Sequence, residues 1–363
     1  MTMADRLRLA MVVDSDALGG AEVYARHLLH RAPAWVDPTL LVAAPLAPYF
    51  TSRSPARVIP LGLNTEWAPA LASALADVGP DVVHVNLVNP ASNRAALRAA
   101  HACAPTVVTL HDLGADTAEL RGLYSNLAAA VAPSAVIARQ LRDDLGVPAG
   151  AIHRIRNGVD LPARVAYPAD RHPLVVGAVG RLADEKGLDL LIEAVSRLDR
   201  GGRRLRVVIA GLGPKRERLE QQARGLPITF PGLCRDVPAL LRGLDLFCLP
   251  SRREGLPLAL LEAMAHAVPC VATAVGDIAE AVGSDALVVP PNDVDALVIA
   301  LDRLLDDPAL RRDLGRRARL RALRDFDAER MVTQTMRVLA GAVFGARSVS
   351  GPPRPGTGRR SPA

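Results

Sequence analysis

Two cations five residues apart, Arg181 and Lys186, and two carboxylates eight residues apart, Glu254 and Glu262, are the side chains whose types and spacing suggest chemistry. The cations belong to Gly180-Arg-Leu-Ala-Asp-Glu-Lys-Gly187, which follows the apolar run Val175–Val179. Glycine lets a backbone turn sharply and approach a ligand closely. A guanidinium offers a planar fork of donors that suits phosphate oxygens, and an ammonium adds a compact point charge. Together they could neutralise a diphosphate. The same residues also suit a surface loop in which Lys186 pairs with Asp184 or Glu185.

The carboxylates frame a second loop, Ser251-Arg-Arg-Glu-Gly-Leu-Pro257, which follows the run Leu246–Leu249. Pro257 fits the first position of a helix, so Glu254 lies in the preceding loop and Glu262 well inside the helix. At roughly 1.5 Å per residue, the two are about a sugar-plus-phosphate length apart. An ionised carboxylate only accepts hydrogen bonds, and it can take two from a vicinal diol. The free N–H groups of the helix start favour an anion between them. A ribose diol, a diphosphate and then sugar hydroxyls is the order of groups in a nucleotide sugar. Two solvated glutamates, one beside a helix start, would fit the spacing as well.

Positioning these loops requires strands that end where the loops begin. Short β-branched runs alternate with helical patterns along the chain, which predicts parallel sheets built from βα units. The first series is Leu7–Val13, Thr39–Ala43, Val58–Pro60, Val82–Val85, Thr106–Leu110 and Ala129–Val131. The second is Val175–Val179, Val207–Ala210, Ile228–Phe230, Leu246–Leu249, Val271–Thr273 and Leu287–Val289. Between them Pro162, Pro168 and Pro173 break the pattern. We expect an α/β protein of two doubly wound, Rossmann-like domains facing across a cleft. Residues 1–160 form the first, 161–172 a linker, and 173–325 the second. A helix over 326–345 returns to the first domain, and 346–363 form a disordered basic tail. Ligands of such sheets bind outside the carboxyl ends of the strands, where both loops lie.

Taken together, four segments resemble the retaining glycosyltransferases of family 4, which have the GT-B fold. They are Gly19-Gly-Ala-Glu22, Asn157-Gly-Val-Asp160, Gly180-Arg-Leu with Glu185-Lys-Gly187, and Glu254-Gly-Leu-Pro-Leu-Ala-Leu-Leu-Glu262-Ala-Met-Ala265. The resemblance implies that Arg181 and Lys186 contact the donor diphosphate, Glu254 the transferred sugar and Glu262 the nucleotide ribose. It also implies that the Phe230-Pro-Gly-Leu233 turn, through Gly232 and Leu233, meets the base by its backbone. Gly20, Gly180, Gly255, Leu256 and Pro257 would line the donor, and His111 would lie near the donor sugar. The chain departs from the family at His266-Ala267 before Pro269, and at Val275-Gly276, where paired glycines often precede the acid at Glu280. The resemblance further implies transfer with retention, the leaving diphosphate assisting the acceptor hydroxyl on the same face of the sugar. No Asp-x-Asp sits at a strand end, so neither a metal nor another cofactor is expected.

Composition narrows the alternatives. The net charge is +6, but Arg347, Arg354, Arg359 and Arg360 lie in the last eighteen residues without an acid. The basic balance therefore does not argue for nucleic acid. A solvated tail is the first reading of that stretch, with weak attachment to an anionic membrane surface as the other. No apolar run approaches a membrane span, and the expected location is the cytoplasm or the periphery of the inner membrane face. The four cysteines lack metal-ligand spacing and read as buried free thiols of a reducing compartment. Lysine occurs only at 186 and 215 in an arginine-rich chain, which singles out Lys186. Gly211-Leu-Gly213 prompts a dinucleotide-binding reading, but Arg216 stands where the third glycine belongs. An epimerase acting on nucleotide sugars and a non-catalytic binding partner remain the other readings. The acceptor is left open, at a site in the first domain near Gly19–Glu22, Asn86–Asn89 and His111–Gly114. Aromatic residues at 3% supply no row of sugar-stacking platforms, which disfavours a long polysaccharide acceptor.

Overall fold

The computed structural model describes residues 6–13, 15, 17–51, 56–62, 67–114, 117–163, 165 and 172–349. In the first half, β1 (Leu7–Val13), β2 (Val36–Ala43), β3 (Arg57–Leu61), β4 (Val82–Leu87), β5 (Thr106–Leu110), β6 (Ala129–Ala132) and β7 (Ile152–Arg154) form one sheet. Helices α1 (Gly20–His30), α2 (Ala47–Thr51), α3 (Trp67–Val78), α4 (Arg94–Cys103), α5 (Arg121–Tyr124) and α6 (Ala135–Asp143) connect them. The sheet is parallel, in the order β3-β2-β1-β4-β5-β6-β7. Its central strands β4 and β5 are buried along their whole length. That suits their β-branched sequence, because a parallel sheet is covered by helices on both faces.

The second half repeats the plan. Strands β8 (Leu174–Val179), β9 (Leu205–Ala210), β10 (Ile228–Gly232), β11 (Leu246–Leu249), β12 (Cys270–Thr273) and β13 (Leu287–Val289) form a parallel sheet in the order β10-β9-β8-β11-β12-β13. Its helices are α7 (Leu188–Arg200), α8 (Arg216–Gln222), α9 (Val237–Arg242), α10 (Leu258–Ala265), α11 (Ile278–Val282), α12 (Val294–Asp306) and α13 (Pro308–Asp325). Helix α7 buries Leu188, Leu191, Ile192, Val195 and Leu198, the three-and-four spacing of a single apolar face. Asp293 and Asp307 cap α12 and α13, each accepting from a backbone N–H three residues on, and Pro308 opens α13. In both sheets the strand order reverses beside the first strand, between β1 and β4 and between β8 and β11. The crevice at such a reversal is where doubly wound sheets bind ligands.

The last helix, α14 (Ala328–Val349), packs back on the first sheet. Two chain crossings run side by side: Val159 N–H donates to Phe326 O at 2.9 Å, and Ala328 N–H to Val159 O at 3.2 Å. A buried polar chain then fixes α14. His84 Nε2 and Thr109 Oγ1 are 2.8 Å apart, Tyr24 Oη lies 3.3 Å from Thr109 and 3.1 Å from Thr335 Oγ1, and Thr335 donates to Met331 O at 2.9 Å. With the imidazole donating from Nε2, every hydroxyl in the chain donates once and accepts once. Burial pushes His84 down to about 3, so it stays neutral in this role.

Three expectations need correction. The edge strand β7 escaped the sequence pattern because it has three residues, two of them polar. The last helix runs to Val349 rather than ending at 345, since Ala346-Arg-Ser-Val349 contains no breaker before Gly351-Pro352. Of the cysteines only Cys248 and Cys270 are buried; Cys103 is exposed and Cys234 half-exposed. Most of the expected linker, at 164 and 166–171, and the tail from 350 lie outside the described residues. No helix among the described residues is long and apolar enough to cross a membrane.

Tyr24→Phe removes the hydroxyl that joins the two threonines and leaves buried polar atoms unpaired. It should lower unfolding free energy by about 1–3 kcal/mol. Urea titration checks this, and an unchanged midpoint would show that the polar chain does not hold α14.

Candidate active site

The loop after β8 and the loop after β11 meet at the reversal in the second sheet. Gly187 adopts φ +60° at the end of a single 3-10 turn over Asp184–Lys186, and a Cβ there would collide with Pro250 O. Only glycine permits that contact, which sets Lys186 against the end of β11. Lys186 Nζ lies 2.7 Å from Glu254 Oε1, and Ser251 Oγ donates to the same oxygen at 2.7 Å. Glu254 is 5% exposed. The second loop is tied down by Arg252, which makes a two-pronged contact with Asp189, 2.7 Å on each arm. Lys186 therefore does not serve as the loop's local salt bridge; Asp184 pairs instead with Lys215 at 2.7 Å. Burial alone would lower the Lys186 ammonium, but the Glu254 charge and hydrogen bond, helped by Asp112 and Glu185, hold it above its ordinary value.

Arg181, on the same loop, is exposed, and its side chain makes no hydrogen bond or ion pair with the described residues. Gly180 packs near the Lys186 stem, a Cβ there lying 3.9 Å from Lys186 Cδ. The glycines of Gly211-Leu-Gly213 have a packing role: a Cβ on either would run into the backbone of Gly180 or Leu182. They let the ends of β8 and β9 close together, which accounts for the motif without a dinucleotide.

Helix α10 starts at Leu258, and Pro257 is its N-cap, with ψ 123°, rather than its first helical residue as the sequence suggested. No side chain caps it, so its first N–H groups are free to meet an anion. Gly20 lies opposite, where a Cβ would sit 3.6 Å from Leu258 Cδ1, in ordinary contact. Glu262 is on the next turn of α10, in the environment of Arg26 and Asp160. Its carboxylate has no hydrogen-bond partner among the described residues. Burial pushes it up to about 7, partly offset by Arg26. The Glu262 charge also reaches Cys234 and contributes to raising its thiol, after burial. This sets Glu262 beside the end of β10, where Phe230-Pro-Gly232 is strand rather than the expected turn, with Gly232 at φ 82°, and beside Leu233, which is 41% exposed.

The first domain closes the other end. Gly255 is wedged against it, since a Cβ would come within 2.8 Å of His111 O and 2.6 Å of Ile137 Cδ1. Leu256 is buried, and its carbonyl accepts from Asn157 Nδ2 at 2.7 Å. Asn86 Nδ2 donates to Ala21 O, so Asn86 Oδ1 faces His111 Nε2 at 2.8 Å and accepts its proton. Burial and nearby His84 push His111 down to about 3, and Tyr24 packs edge-on at 4.7 Å between ring centroids. His111 is thus a neutral, oriented imidazole, suited to polar contact and not to carrying charge at neutral pH.

Three residues of the site lie in segments that the sequence singled out, Asn86–Asn89, His111–Gly114 and Ser251–Pro257, without an individual role there. Asp112 lies across the cleft from Lys186 and Glu254; burial raises its carboxyl, with Glu254 adding to that and the bond from Leu113 N–H, Lys186 and Arg253 opposing. Its side chain is 3.8 Å from Arg253. Asn86 and Ser251 orient His111 and Glu254. Asp112 stands next to His111 in the sequence, but only the cleft reveals the charges it faces. Among the described residues no group of three or more His, Cys, Asp or Glu could hold a metal ion.

Family models match both halves of the chain. A model described as Glycosyltransferase Family 4 matches residues 18–162, and one described as Glycosyl transferases group 1 matches residues 173–307. An alpha-D-kanosaminyltransferase of Streptomyces kanamyceticus is 37% identical over 199 residues, covering 49% of this chain and 51% of that protein. A glycogen synthase of Mycobacterium tuberculosis is 37% identical over 204 residues, covering 53% of this chain and 49% of that protein. The chain spans about half the length of the curated relatives it matches. Among solved structures, Anabaena HepE in complex with UDP-glucose superposes with a TM-score of 0.79 at 20% identity, covering 93% of this chain and 100% of that one. A glycosyltransferase of Rickettsia africae gives a TM-score of 0.77 at 17% identity, covering 93% and 99%. At such identities the structures speak for the fold.

The state of Glu262 can be tested by pH. Its folded value near 7 lies above the ordinary 4.5, so the folded protein binds the extra proton between those values. Its contribution to stability is then complete below pH 4.5 and is lost as pH rises through 7. Glu262→Gln should match the parent's melting temperature at low pH and exceed it at pH 8. Parallel curves for the two proteins would refute the half-buried, unpartnered carboxylate.

Proposed function

This chain belongs to glycosyltransferase family 4 and has the GT-B fold, and from that premise we propose that it moves a hexose-type sugar from a nucleotide-diphosphate donor to an acceptor hydroxyl, with retention. The observation that carries the reading is the contrast between the two carboxylates around α10. Glu254 is held by Lys186 and Ser251, whereas Glu262, one to two turns further on, is without a partner among the described residues. A ribose diol would supply the two donors that Glu262 lacks. The diphosphate would lie between Arg181, Lys186 and the uncapped start of α10. Negative charge grows there as the bond to the sugar breaks, and donors already in position stabilise it without reorganising. Glu254, with Oε1 occupied by Lys186 and Ser251, keeps Oε2 for hydroxyls of the transferred sugar.

On the other side of the bond we assign the acceptor to the first domain, between Gly20, the Asn86–Asn89 loop and His111–Asp112. His111 would orient the sugar as a neutral hydrogen-bonding group. Asp112 would accept from a neighbouring hydroxyl of the acceptor and so orient it, while the incoming hydroxyl gives its proton to the departing diphosphate on the same face. The acceptor is a small molecule or a lipid-linked head group; the scarcity of aromatic residues disfavours a long polysaccharide. With Arg181, Lys186 and the start of α10 to meet the leaving charge, this reading calls for neither a metal nor another cofactor. An epimerase would turn over its donor without an acceptor, and a non-catalytic partner would bind without turnover, so acceptor dependence separates both from this reading.

Melting curves with UDP, GDP, ADP and dTDP test the donor site, UDP first because Anabaena HepE has been solved with it. A nucleoside diphosphate at about a hundred times its Kd should add about 2.7 kcal/mol of stability. If none of the four raises the melting temperature, the donor site is wrong. Lys186→Ala should cut turnover by about 100-fold or more, as expected when a charge on the leaving group is removed. Turnover should survive excess EDTA, and its loss would overturn metal independence.

A further inference from the structure

We propose that Asp277 is an interdomain positioning residue that couples closure of the cleft to the Glu254 loop; the inference rests on the transferase reading above. Asp277 belongs to the second domain, just before α11, and is buried. Its carboxylate crosses to the first domain, where Oδ2 accepts from Ala135 N–H at 2.6 Å and Oδ1 from Val136 N–H at 3.3 Å. These are first-turn groups of α6, whose own N-cap, Ser134, reaches only Ile137 N–H at 3.3 Å. A helix of one domain therefore has its remaining free donors met by a carboxylate of the other, where the helix dipole favours negative charge.

The contact is reinforced and relayed. Arg154, at the end of β7, donates to Asp277 at 3.0 Å and to both oxygens of Glu280 at 2.8 and 3.0 Å. Arg156 also pairs with Glu280. On its other side, Asp277 N–H donates to Gly255 O at 3.1 Å. Gly276, at φ +57°, packs so closely that a Cβ would collide with Glu254 O. Gly255 is itself wedged against Ile137 of α6 and against His111 O. One residue thus grips the acceptor-side helix by its side chain and the sugar-facing loop by its backbone. Opening the cleft breaks the first grip and frees the second, so Glu254 is set in register with His111 only in the closed form.

The test uses the full-length protein, UDP as the binding probe and UDP-glucose hydrolysis as the reaction, so no acceptor need be known. Asp277→Ala should bind UDP within about twofold of the parent, since the proposed nucleotide contacts all lie in the other loops. Its turnover should fall about tenfold through misplacement of the reacting groups, with KM for UDP-glucose little changed. Its radius of gyration by X-ray scattering should exceed the parent's, and Asp277→Asn, which can still accept from one N–H, should fall between. Arg154→Gln removes the reinforcing charge from the opposite domain and should shift scattering and turnover the same way if Asp277→Ala fails to fold. Unchanged scattering and turnover in a folded variant would overturn the proposal. If the parent itself fails to bind any nucleoside diphosphate, the transferase reading fails instead; a scattering change in the variants would then still support the clasp.

Discussion

The contact between Lys186 and Glu254 organises this molecule. It joins two loops that are 68 residues apart in the chain, and it exists because β8 and β11 are neighbours at the reversal of the second sheet. Removing either partner would strand a charge where water is largely excluded, a far greater loss than the pair contributes as a whole. The surrounding features preserve it. Gly187 lets the first loop touch Pro250, Arg252 clamps the second loop to Asp189, and Ser251 takes up the same carboxylate oxygen. A pair so constrained presents its remaining donors and lone pairs in fixed directions, as the proposed diphosphate-sugar donor would require.

The same physics explains why similar groups behave differently. Glu254 and Glu262 sit on one loop-helix unit, yet one has a cation and a hydroxyl at hydrogen-bond distance while the other is half-buried near Arg26 without a bond to the described residues. Burial without a partner penalises the charged form, so Glu262 is held close to neutrality until something donates to it. His84 and His111 show the opposite use of burial. Both are pushed down to about 3 and serve as neutral hydrogen-bonding groups, one anchoring α14 and one facing the cleft.

The two domains are joined by more than the chain. Two crossings lie side by side at Val159 and Phe326, and α14 is fixed to the first sheet by a run of hydroxyls beginning at His84. The Asp277 contact adds a further tie, on α6 and β7. Polar contacts of this kind can open and close without exposing a large apolar surface, which suits a cleft that must admit a substrate and then bring its reacting groups into register.

The alternation of β-branched runs with amphipathic helices was enough to determine two parallel α/β units, because strand burial and helix periodicity are local patterns. The loops carrying Arg181, Lys186, Glu254 and Glu262 were legible for a related reason: strand ends can be read from the sequence, and function in such sheets lies beyond them. Strand β7 was not legible, since three residues are too few to show a period. Which cation meets which carboxylate was not legible either. Asp184 and Glu185 adjoin Lys186 in sequence, yet its partner is Glu254, and Asp184 goes to Lys215. Asp112 gained its surroundings, and Asp277 its hold on α6, only when the two sheets came together. The sequence by itself determined the elements and the chemical groups they deliver. Tertiary structure alone decided the pairings, because charge and hydrogen bonding depend on distances in space that chain separation does not encode.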